Sequence, residues 1–166
     1  RYDRIFEADV NGPFGDSLPR LDRWTVNPEA RTVGETVVYD QPVEFPRCHP
    51  GLVGKPYRFG YTVAADGPRF PGVVKHDMIS GTAERHGFGA GRHGAEPVFV
   101  PREGGVAEDD GYLMTFVYDE AADRSEFVVL DARDMQRPPI ATVRLPARVP
   151  YGFHGSWIPD SEVGPA

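Results

Sequence analysis

The sequence predicts an all-β chain, and three observations carry that prediction. β-branched and aromatic residues come in short runs bounded by Gly, Pro and Asp, which is the pattern of strands and turns. No apolar stripe at helical spacing lasts long enough for a helix of ordinary length. The 19 glycines and 17 prolines of the 166 residues are spread between the apolar runs and form no low-complexity tract, as expected of many short elements joined by turns.

In chain order, the segment through Pro19 carries turn residues without periodicity. Strands follow over residues 24–27 and 32–39, where Trp24, Thr25 and Val26, then Val33, Val37, Val38 and Tyr39, supply strand-forming side chains. Further strands are predicted over 57–64, 72–79 and 96–100. Residues 112–118 and 125–131 flank the short polar loop Glu120-Ala121-Ala122-Asp123-Arg124 and form the clearest hairpin of the sequence. A strand over 141–145 and a closing strand around 153–157 complete the series. The polar, turn-rich tail from Pro159 to Ala166 has the composition of a frayed terminus.

Val37-Val38-Tyr39-Asp40, Val73-Val74-Lys75-His76-Asp77 and Phe116-Val117-Tyr118-Asp119 each end an apolar run with aspartate. Their spacing is near the ~40-residue period of a four-stranded propeller blade, and the length allows about three or four such blades. Radial blades are favoured over a sandwich.

Charge and composition narrow the function classes. With 18 Lys and Arg against 25 Asp and Glu, the formal net charge is −7. No basic cluster interleaved with aromatics is available to track a phosphate backbone, so no nucleic-acid partner is expected. The longest apolar stretches, such as Phe127-Val128-Val129-Leu130, fall far short of the ~20 residues of a membrane-spanning helix. The single cysteine, Cys48, excludes an internal disulfide and fits a reducing compartment, so a soluble, cytoplasmic chain is expected. Cys48 beside His49 does not make a zinc site, because no second Cys or spaced His pair completes a tetrahedral set. Cys48 is read as a free structural thiol.

Three residues are candidates for chemistry. His154 lies among rings, prolines and glycines in Arg148-Val149-Pro150-Tyr151-Gly152-Phe153-His154-Gly155, where it is either a hydrogen-bonded core histidine or a metal-ligating imidazole. Glu44, in Glu44-Phe45-Pro46-Arg47, and Glu96, in Glu96-Pro97-Val98-Phe99-Val100-Pro101-Arg102, place carboxylates beside prolines and rings. Each is either a solvated strand-end carboxylate paired with Arg47 or Arg102, or an acceptor for the far N–H of a metal-bound imidazole.

These segments, with Lys75-His76-Asp77, Gly94-Ala95-Glu96, Glu108-Asp109-Asp110-Gly111-Tyr112 and residues 125–132, resemble in order the C-terminal part of the carotenoid cleavage oxygenases. That family includes lignostilbene dioxygenases, apocarotenoid oxygenases and the retinal pigment epithelium isomerase. The resemblance runs from about Leu18 to Trp157 and implies part of a seven-bladed β-propeller that holds one Fe(II) through four histidines. It places His154 as the last iron ligand, and hence as the catalytic residue of this chain, with Glu44 and Glu96 as two of the three glutamates that hold ligand histidines. It also implies that residues 1–166 form a single C-terminal part, the other ligands lying in an N-terminal half outside this sequence.

The implied reaction cleaves a carbon–carbon double bond of a carotenoid, apocarotenoid or stilbene with O2, giving two carbonyl products. Phe153 and Trp157 either border an apolar substrate tunnel or pack as core. His49, His76, His86 and His93 match no family ligand and are read as surface or loop residues. The chain alone is expected to be inactive, to lack iron and to self-associate through open blade edges. A non-catalytic binding or scaffold module of the same fold is the alternative.

Overall fold

The computed structural model describes residues 18–164, so most of the aperiodic opening segment and the last two residues of the polar tail lie outside the described residues. Among the described residues, eleven strands, all paired antiparallel, make up three sheets. Strands β1 (Leu21–Asn27) and β2 (Thr32–Tyr39) form a hairpin. Strands β3 (Val43–Cys48), β4 (Phe59–Asp66), β5 (Arg69–Asp77) and β6 (Thr82–Gly87) form a four-stranded sheet in chain order. In the third sheet β9 (Gly111–Asp119) pairs with β10 (Arg124–Asp131), and β10 with β11 (Ala141–Arg144).

On its other side β9 pairs first with β7 (Arg92–Gly94) and then with β8 (Val98–Pro101). These two short strands are one edge strand interrupted at Ala95-Glu96-Pro97. Pro97 has no N–H to donate, and Thr115 Oγ1 inserts at the gap, donating to Ala95 O at 2.9 Å. Glu96 therefore occupies a break in the ladder, and its carboxylate is almost completely buried.

The sheets stack face to face. Strands β4 and β5 are buried on both faces, so consecutive side chains of β5 serve different interfaces. Val73 and Tyr61 join Phe99, Leu113, Val117, Val128 and Leu130 in the core shared with the third sheet. Val74, with Val43 and Ala64, packs instead against Leu21 and Tyr39 of the hairpin. Lys75 points to the third sheet, where its Nζ donates to Asp109 Oδ2 at 2.6 Å, and His76 points back to the Tyr39 ring.

Several expectations are corrected here. Strand β3 escapes the sequence pattern because Pro46 and a bulge between Glu44 and Arg47 break its alternation. Strand β6 is polar and exposed along nearly its whole length, and β7 has only three residues. Residues 153–157 form no strand; a Gly155 N–H that a ladder would have used goes to the Glu96 side chain. His76 and His93 are buried strand residues instead of surface or loop positions, and His86 is a half-buried residue of β6. The recurring aspartates do not mark blade phase. Asp77 and Asp119 accept N–H groups two and three residues ahead, which makes them turn-closing residues of hairpins. No helix among the described residues is long and apolar enough to cross a membrane.

Burial also sets an acid limit on the fold. His76 has Nε2 2.8 Å from Thr62 Oγ1, and removal from water pushes its pKa down from 6.5 to about 4. Protonation therefore accompanies unfolding. The stability that the neutral ring contributes is complete above about pH 6.5 and falls as the pH drops towards about 4. Denaturation curves between those pH values are expected to show a loss of a few kcal/mol in the wild type that is absent from His76→Gln.

Candidate functional site

The break between β7 and β8 points the Glu96 carboxylate at the coil that carries His154. Both oxygens are used there. Glu96 Oε1 lies 3.0 Å from His154 Nδ1, and Glu96 Oε2 accepts the Gly155 N–H at 2.8 Å. An ionised carboxylate only accepts, so Nδ1 carries the proton and the lone pair of the neutral ring is at Nε2. The carboxylate side chain is 4% exposed and the imidazole 72%, so the acceptor is sunk in protein and the ring stands out from it.

Strand β3 supplies the other side. Arg47 donates to Gly155 O at 3.0 Å, and its guanidinium lies 3.7 Å from Glu96 Oε1. The Phe45 ring meets the His154 ring edge-on at 5.8 Å between centroids, and Phe70 of β5 backs Phe45 at 5.5 Å. Glu44 Oε2 accepts the Phe45 N–H at 2.9 Å. Glu44, Glu96, His154 and Phe153 line one cavity of about 300 Å³ together with Phe45, Pro46, Arg47 and Phe70.

The structure thus brings His154, Glu44, Glu96 and Phe153 together, although 58 residues separate Glu96 from His154. Trp157 borders a second, larger cavity of about 410 Å³ instead, which Phe153 and His154 also line with Phe116 and Phe127. Arg102, offered above as a partner for Glu96, binds Asp110 and the Tyr112 hydroxyl. Cys48 is a free, half-buried thiol whose pKa burial pushes up, and His49 Nδ1 accepts the Gly51 N–H. Neither is set up as a ligand. Among the described residues no group of three or more His, Cys, Asp or Glu side chains is placed to hold a metal ion. One outward imidazole with a carboxylate behind it fits one corner of a metal centre and no more.

The sequence model of the retinal pigment epithelial membrane protein family matches residues 3–159. The chain belongs to the carotenoid cleavage oxygenase family. It is 40% identical to the apocarotenoid-15,15'-oxygenase of Synechocystis over 94% of its own length and 34% of that protein. It is 41% identical to the carotenoid cleavage oxygenase of Mycobacterium tuberculosis over 96% of its length and 33% of that protein. The chain therefore spans about a third of the curated relatives it matches. The cobalt-substituted Synechocystis apocarotenoid oxygenase superposes with a TM-score of 0.86 at 39% identity, over 95% of this chain and 35% of that one. The all-β sheets described above are accordingly part of a family β-propeller.

Sequence reasoning missed the part that three residues play in the site. Phe45 and Arg47 stood in view beside Glu44, but their reach to His154 and Gly155 depends on the bulge of β3, which no local pattern announces. Phe70 carries no sequence signal at all.

The Glu96 carboxylate holds the Gly155 amide by a charge-assisted bond. Removing it in Glu96→Ala is expected to speed hydrogen exchange at Gly155 by about tenfold or more, since such bonds contribute ~1.5–3 kcal/mol. Amide exchange measured by NMR checks this against unchanged exchange at Leu113.

Proposed function

We propose that the full-length protein containing this chain is an Fe(II)-dependent dioxygenase that cleaves a carbon–carbon double bond of a carotenoid or apocarotenoid. A stilbene is the alternative substrate class. Each carbon of the alkene takes one oxygen atom of O2, so two aldehydes or ketones leave. The observation that carries the reading is the His154 ring, with Nδ1 committed to buried Glu96 and Nε2 left as the donor nitrogen.

Iron held there would supply open positions for dioxygen beside an electron-rich alkene. This chain's residues do the rest. Glu96 fixes the tautomer of His154 and places negative charge behind the ring. Glu44, which lines the same cavity, would serve a second histidine from outside this chain. Phe153 and Trp157, both largely exposed along the larger cavity, offer an apolar wall to a long hydrocarbon. The paired His154 and Glu96 speak against the non-catalytic module, because a scaffold has no use for an outward-facing imidazole with a carboxylate sunk behind it. The half-buried free Cys48 suits a cytoplasmic setting.

In the full-length protein, His154→Ala is expected to abolish cleavage and iron retention. Glu96→Gln is expected to lower iron affinity roughly 10–100-fold. The 166-residue chain by itself is expected to hold no stoichiometric iron, which metal analysis after purification checks; a one-to-one iron content would refute the shared-site reading. The hairpin leaves Trp24, Val26 and Val33 exposed, so the isolated chain is expected to self-associate, and size-exclusion chromatography showing a monomer would refute that.

A further inference from the structure

We infer that the bulge of β3 is a clasp for His154, with Phe45 and Arg47 as its positioning residues; this rests on the iron-ligand reading of His154. Glu96 alone leaves the ring underdetermined. A single contact at Nδ1 lets an imidazole swivel about the line to the carboxylate, and its Nε2 would then sweep through a range of directions. A metal ligand needs one direction.

The bulge supplies what Glu96 cannot. In a regular strand alternate side chains face opposite ways, so two of the four residues from Glu44 to Arg47 would point away from the cavity. Here all four border it, Glu44 and Pro46 from positions that also border a cavity beside the first hairpin. The change of direction occurs at Phe45, which has φ of 53°, a left-handed backbone that a bulky aromatic residue avoids unless its surroundings impose it. The following proline disfavours helical backbone at Phe45 as well. What holds the turn is local: Glu44 Oε2 accepts the Phe45 N–H, and Phe70 packs on the Phe45 ring.

Two restraints on the histidine follow. The Phe45 and His154 rings meet at an interplanar angle of 82°, so rotation of the imidazole about its bond to Glu96 runs into the phenyl ring. Arg47 takes the Gly155 carbonyl at 3.0 Å while Glu96 takes the Gly155 N–H at 2.8 Å, so the residue after the ligand is held through both of its backbone polar groups. The guanidinium also lies 3.7 Å from Glu96 Oε1, so the group that braces Gly155 braces the acceptor of the ring as well. Plane, height and tautomer of the ring are thereby set from two sheets at once.

The test reads the ring directly. Long-range ¹⁵N–¹H correlation spectra of the ¹⁵N-labelled chain at alkaline pH report which ring nitrogen of His154 carries the proton, and amide exchange reports Gly155. The wild type is expected to hold the proton on Nδ1. Phe45→Leu and Arg47→Gln are each expected to lower that share at least about twofold, because the tautomer follows the hydrogen bond that the clasp maintains. Phe45→Tyr, which keeps the ring, restores the wild-type share. Wild-type tautomer and Gly155 exchange in both Phe45→Leu and Arg47→Gln would overturn the proposal, as would a Phe45→Tyr that behaves like Phe45→Leu. If Phe45→Leu does not fold, the Arg47 side chain, about one third exposed, still carries the test through Arg47→Gln. The iron reading fails separately: full-length wild type found free of iron would sink it while the spectra still decide the clasp.

Discussion

A carboxylate taken out of water must be met by donors, and the arrangement around the site follows from how Glu96 meets that demand. Its side chain is almost wholly buried, so solvent cannot satisfy it. The nearest donors are on a coil 58 residues further on: the imidazole of His154 and the amide of Gly155. The coil is drawn to the sheet by these bonds and not by ladder pairing, which is why residues 153–157 do not become a strand. The same bonds leave the far nitrogen of the ring as the free end of the arrangement. Burial of one charge thus dictates the path of the chain and the chemistry it presents.

That burial depends in turn on how the sheets are joined. The loop before β9 reaches back to the second sheet, where Glu108 accepts the backbone N–H groups of Arg58 and Phe59 and Asp109 takes Lys75. Lys75 also sits over the Phe59 ring at 4.3 Å, so a buried cation is met by an anion and a π face together. Beneath these polar ties lies the shared core of Tyr61, Val73, Phe99 and Leu113, with the Tyr61 and Phe99 rings stacked at 5.4 Å. The joint keeps β3 and β8 side by side, and only that neighbourhood lets Glu44 and Glu96 open onto one cavity. A looser joint would leave two separate carboxylates.

The legibility of the sequence divides along physical lines. Strands with a buried apolar face, such as β9 and β10, announce themselves because alternation follows from one-sided burial. Strands β3, β6 and β7 do not, since a proline-broken edge, a polar outer edge and a three-residue segment owe their form to their partners. His76 and His93 looked like surface residues because a polar side chain carries no mark of the neighbours that bury it; the Tyr39 ring and Glu120 are remote in sequence. The site was legible where the family pattern named Glu44, Glu96 and His154 and dark where geometry decided, as at Phe45, whose left-handed backbone belongs to the bulge and not to the residue type.

The two carboxylates reach the cavity in the same way, and that explains how such a site scales. Glu44 lies at a bulge in the first strand of one sheet, and Glu96 lies at a break in the first strand of the next. Both are places where the ladder lapses, and a lapse is what frees a side chain on an inner edge to leave the regular alternation and turn to the centre. Each sheet of a radial array can contribute one such group, because it has one inner edge. A ligand set built this way grows by adding sheets, not by crowding donors onto one strand. Among the described residues, a chain with a third of its relatives' length then carries one outward imidazole with its carboxylate, and on the iron reading proposed above further ligands would come from other edges.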